Sequence, residues 1–178
     1  MHIDHTQLPE IHIACHRLKN AIDLKRQLKD FTKGVYCIYA ILHGVKIILK
    51  YGYTALEPNG ERVYRQIWRC PGWPTEPATT AAGEDFDWTV SHFPNLHKDD
   101  VYIQIWDMSH IEPINPYRPE YEPYLLEGQF IREYIERYGS APIGNKMENN
   151  RIQRGLVPRI TRRTVNFHHW FEESARSI

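Results

Sequence analysis

The chain has 178 residues, which suits one domain with its own core. Apolar residues at 42% and charged residues at 25% are ordinary for a globular protein, and three widely spaced cysteines exclude a disulfide framework. Nothing reads as a signal peptide and no apolar run approaches the ~18 residues of a membrane span, so a cytoplasmic protein with no membrane partner is expected.

Net charge is zero but unevenly spread. Residues 1–33 carry 6 Lys/Arg against 4 Asp/Glu, residues 70–130 carry 2 against 11, and residues 146–178 carry 7 against 3. A polyanion would meet the two ends of the chain, while the middle would repel it unless metal ions intervene.

In chain order, the spacing of Ile11, Ala14, Leu18, Ile22, Leu28 and Phe31 predicts a helix over 10–31, ended by Gly34. Two apolar runs, 35–42 and 45–52, flank His43-Gly44, a two-residue hairpin signal. ERVYRQIWR, residues 61–69, reads as a short helix. A Pro-, Gly- and Thr-rich insertion covers 71–100 and embeds Trp73, Phe86 and Trp88. VYIQIW, 101–106, predicts a third strand. PYLLEGQFIREYIERY, 123–138, is the strongest helix, with Pro123 near its start and Gly139 after its end. A basic tail, 147–178, closes a single α+β domain with a small, mostly antiparallel sheet.

Five pieces stand in a definite order: GVY at 34–36, KYGYT at 50–54, ERVYRQ at 61–66, a helix bearing Glu127 on an apolar face, and Gly144-Asn145. Together they resemble the GIY-YIG nucleases over roughly residues 34–146. The resemblance implies a three-stranded antiparallel sheet flanked by helices, with the N-terminal helix and C-terminal extension outside it. It also implies a metal-dependent DNA endonuclease that hydrolyses phosphodiester bonds, of the stand-alone restriction or phage kind. A palindrome-cutting enzyme of that kind would be a symmetric homo-oligomer.

Carried over residue by residue, Tyr36 stands for the tyrosine of the GIY segment and Arg62 for the arginine on the next helix. Gln66 stands where the family often has His or Tyr. Glu127 stands for the metal-binding glutamate and Asn145 for the asparagine that closes the site. The second half of the signature departs from the pattern. With Gly52 as its glycine, the tyrosine position falls on Lys50. Counting outward from Leu42 opposite Val45 instead places Tyr51 opposite Tyr36, with Cys37 facing Lys50 on the other face; a bulge would shift this. Lys50 and Tyr51 both stay candidates.

These residue types suit phosphodiester chemistry. Glu127 can hold a hard divalent cation, Mg²⁺ or Mn²⁺, with waters and substrate oxygens completing its shell. Arg62 can pair with phosphate oxygens through its planar fork. Tyr36 is expected to orient or deprotonate the attacking water, helped by a neighbouring cation. Arg65, Gln66 and the tail arginines Arg154, Arg162 and Arg163 are expected to contact DNA. Taken singly, Tyr36 also fits a cross-strand aromatic and Glu127 a dipole-favoured residue of a first turn. Two rival readings follow: a nucleic-acid-binding module of the same fold with a degraded site, and an unrelated zinc metallohydrolase using histidines such as His12 and His16.

Overall fold

The computed structural model describes residues 3–55, 60–67, 70, 72–73, 92–113 and 120–145. The tail, with Arg154, Arg162 and Arg163, lies outside the described residues, as does most of the 71–100 insertion with Phe86 and Trp88.

The described elements are β1 (Glu10–Ala14), α1 (Ile22–Gln27), β2 (Gly34–Leu42), β3 (Val45–Thr54), α2 (Glu61–Ile67), β4 (Val101–Asp107) and α3 (Tyr121–Tyr138). The strands form one antiparallel sheet in the order β1-β4-β2-β3. The α+β class is as expected, but the sheet has four strands rather than three.

The extra strand corrects the helix expected over 10–31, of which only Ile22–Gln27 is α-helical. A helical spacing through Ile11, Ala14 and Leu18 leaves out Ile13, which is buried. Ile11 and Ile13 are β-branched, two apart, and pair with Ile105 and Ile103 of β4, while Glu10 and His12 take the other face. His12 and His16 therefore do not share a helix face: one lies on β1, the other in a 3₁₀ turn.

The hairpin forms as read. His43 and Gly44 both take positive φ, +51° and +79°, the tight turn whose twist matches the strands.

Each sheet face carries a core. Tyr36, Ile38, Leu49, Ile103 and Ile105 point to one side, where Leu24 of α1, then Leu28 and Phe31, and Val63 and Ile67 of α2 close over them. Val35, Cys37 and Trp106 point to the other, against Leu126 and Phe130 of α3. Fully burying each such large side chain is worth about 1.5–3 kcal/mol. The cysteines are free and buried, as small core residues. Trp73 packs on the first core and donates its indole N–H to the carbonyl of Ile67 at 3.0 Å, so it supports the fold rather than reaching outward. Among the described residues no helix is long and apolar enough to cross a membrane.

Candidate functional site

Strand β3 decides which of the predicted residues meet. From the turn, Leu42 pairs with Val45 and Tyr39 with Ile48; the next pair is Ile38 with Lys50. Leu49 is the extra residue of a β-bulge. Beyond it Cys37 faces Tyr51 and Tyr36 faces Gly52, which corrects the simple count of Tyr51 opposite Tyr36. The bulge turns Tyr51 and Tyr53 toward α3 and leaves Gly52 beneath Tyr36. Strict alternation would instead drive Tyr51 into the space Tyr36 occupies.

The two candidates for the second-tyrosine position thus lie on opposite faces. Lys50 shares the face of Tyr36. It is buried and donates from Nζ to Oε1 of Gln66 on α2 at 2.9 Å. Tyr51 stacks on Phe130 of α3, with ring centroids 5.4 Å apart, and its burial raises the phenol above its usual range. A neutral Tyr51 is a poor base.

Arg62, one helical turn before Gln66, is exposed and lies over the ring of Tyr53, 5.2 Å from its centroid. Tyr53 in turn meets Tyr124 of α3 edge-on at 5.9 Å. Glu127 lies half-buried between Tyr124, which touches Tyr53, and Phe130, which touches Tyr51. That places it along the helix beside the Gly52 segment of β3. Arg65 is exposed and paired with Glu61 of its own helix at 3.3 Å; Glu61 also takes Lys25 at 2.7 Å.

Asn145 closes this edge of the sheet. Its Oδ1 accepts from the Tyr51 amide and its Nδ2 donates to the Tyr51 carbonyl, both at 2.9 Å. Just before it, the Gly144 amide donates to the Leu49 carbonyl at 2.8 Å. Asn145 thus behaves like a short added strand residue, with its amide spent on the main chain.

The chain matches no family model, no curated protein and no solved structure.

Two residues that link the site escaped the sequence reading. Tyr53 and Tyr124 connect Arg62 to α3, and the signal for Tyr53 is its two-residue spacing from Tyr51, which puts both on one face. Tyr36 is only 1% exposed, with its ring on the α1–α2 side of the sheet, whereas α3 and Glu127 lie on the other. Among the described residues no three His, Cys, Asp or Glu side chains group to hold a metal. A lone carboxylate suits an ion that keeps several waters and takes substrate oxygens, as Mg²⁺ does.

Proposed function

We propose that the chain is a metal-dependent endonuclease of the GIY-YIG type, acting on DNA phosphodiesters at the β3 side of the sheet around residues 50–53. One observation carries this reading. Apart from Arg65, which is exposed and paired with Glu61 on its own helix, the described residues expected at the site touch, or lie one helical turn from, this short stretch of β3: Tyr36 over Gly52, Gln66 on Lys50, Arg62 on Tyr53, Asn145 on Tyr51, and Glu127 between the two α3 rings that meet Tyr51 and Tyr53. β2, β3 and β4 also make the antiparallel sheet that the resemblance implies, with β1 added at the far edge.

In this reading Glu127 holds a hard divalent cation, Mg²⁺ or Mn²⁺, which supplies Lewis acidity at the phosphate and the leaving oxygen. Arg62, exposed on α2, pairs with the phosphate. Lys50, held by Gln66, takes the second-tyrosine position and sets a positive potential on the Tyr36 side. Asn145 fixes the strand. The buried phenol of Tyr36 positions Gly52 and the strand end beneath the phosphate.

The test is plasmid and phage DNA incubated with the pure protein and Mg²⁺ or EDTA. Nicking or linearisation with Mg²⁺, absent in EDTA, is expected; no cutting with any divalent metal counts against the reading.

One observation favours a second reading. The burial of Tyr36, and its place on the face opposite α3, suit a domain kept for nucleic-acid binding after its cutting chemistry was lost. DNA binding without cutting across metals and substrates would decide for it.

A further inference from the structure

α3 leaves part of its sheet face open. Tyr39 of β2 and Tyr102 of β4 are register partners there, both half-buried, and their rings stack at 5.3 Å with planes 12° apart. Tyr39 packs on the margin of the α3-side core and His16 meets the Tyr102 ring edge-on at 6.0 Å, so both rings are partly covered and partly open. Lys46 Nζ stands 4.1 Å from the Tyr39 centroid. Lys46 also lines an adjoining pocket of about 360 Å³, together with Tyr51, Tyr138, Arg137 and Glu133. Arg137 stands 5.4 Å from the Tyr138 ring centroid. Among the described residues, neither Lys46 nor Arg137 is ion-paired, and both are exposed.

Accessible stacked rings beside unpaired cations fit a ligand that carries flat π faces and negative charge at short intervals. We propose that this open half of the sheet and its adjoining pocket bind unpaired bases of single-stranded nucleic acid, with Lys46 and Arg137 meeting its phosphates. A base extends the Tyr39–Tyr102 stack, and Glu133 accepts from exocyclic amino groups of a base in the pocket. A duplex hides its bases and offers these rings nothing flat. An apolar partner would strip water from both cations and leave Glu133 as the one counter-charge among the described residues lining the pocket. The inference does not rest on cleavage, since a chain that cuts nothing would bind in the same way.

The experiment is fluorescence anisotropy of a labelled single-stranded 15-mer of mixed sequence in EDTA, competed by the same sequence as a duplex. Single strands are expected to bind and to outcompete the duplex. Tyr39→Ala and Tyr102→Ala should each weaken binding about 5- to 100-fold, while Tyr39→Phe and Tyr102→Phe keep it within about threefold, since the stacking face is retained. The exposed pair Lys46→Ala/Arg137→Ala, whose folding is not at stake, should lose at least about tenfold and show a shallower salt dependence. Absent single-strand binding, a duplex preference, or folded Ala variants that bind normally would overturn the proposal. So would a homodimer that these alanine variants dissociate in sedimentation. Duplex cleavage without single-strand binding would sink this site and leave the nuclease reading intact; binding without cleavage would do the reverse.

Discussion

The phenol of Tyr36 lies across Gly52, its register partner on β3: a Cβ at position 52 would stand 2.3 Å from both the hydroxyl oxygen and the ring carbon that bears it. Only a residue without a side chain fits there. Gly52→Ala is expected to destabilise by about 1–3 kcal/mol through overpacking. Chemical denaturation measures this. Adding Tyr36→Val should recover part of the loss, so that the two substitutions couple by about 0.5–3 kcal/mol. Simple additivity would mean that the ring and the glycine do not meet.

Asn145 makes two hydrogen bonds to the main chain of Tyr51. Each is worth about 0.5–1.5 kcal/mol net, so Asn145→Ala should lose about 1–3 kcal/mol. Asn145→Asp should lose a similar amount, because a carboxylate cannot donate to the Tyr51 carbonyl. Amide exchange at Tyr51 provides a local readout. It should quicken in both variants beyond the change at Ile103 in the sheet centre; a uniform change would contradict the edge-closing role.

Much of this was legible in the sequence. The hairpin was, because His43-Gly44 allows few conformations between two apolar runs. The α3 helix was, because the periodic pattern over 123–138 stops at Gly139; the helix itself begins two residues earlier, at Tyr121. β1 was not. Five residues with two isoleucines satisfy a strand or a helical turn equally until β4 is there to pair with them. The bulge at Leu49 had no local mark either, and it decides which of Lys50 and Tyr51 shares the face of Tyr36. It is fixed by distant partners: Phe130 and Tyr124 on one side of the sheet and the ring of Tyr36 on the other. The residue types of the candidate site were readable, but which of them share a face was not.

The buried pair Lys33–Glu122 was equally invisible in the sequence. Lys33 Nζ lies 3.8 Å from Glu122 Oε2 and donates to the Ile111 carbonyl at 2.9 Å. It ties the start of β2 to the first turn of α3. Removing one partner leaves a charge in a dry site, so Lys33→Met or Glu122→Leu alone should cost about 3–5 kcal/mol, and the double variant distinctly less than their sum. Urea denaturation of the three variants checks this; single losses below about 1 kcal/mol would place the pair in a wet environment.

Alkaline pH should unfold the protein early. Burial pushes the Cys37 thiol up to about 12, with Lys46 opposing only in part. An unfolded thiol titrates near ~8.5. Between these values the folded state keeps a proton the unfolded state has lost. Stability is therefore whole below the unfolded value and falls as pH rises, by about 1.4 kcal/mol per pH unit for each such group. Cys15 and Cys70 shift the same way through burial, to about 12. Tyr51 and Tyr134, also raised by burial, add to the slope at higher pH. Urea midpoints measured upward from about pH 8 should fall steadily, and Cys37→Ala should flatten the slope by up to one group's share. Midpoints that stay level across this range would contradict the burial of the thiols.

Single-turnover cleavage of supercoiled plasmid with Mg²⁺ compares wild type with Glu127→Gln at DNA concentrations where both are saturated. Wild type should cut, and the variant should bind equally while cutting at least about 100-fold more slowly, a loss typical of removing one electrostatic group from a reacting centre. Equal cleavage by the two proteins would contradict the assignment of Glu127, and with it the account of the β3 edge as a nuclease site.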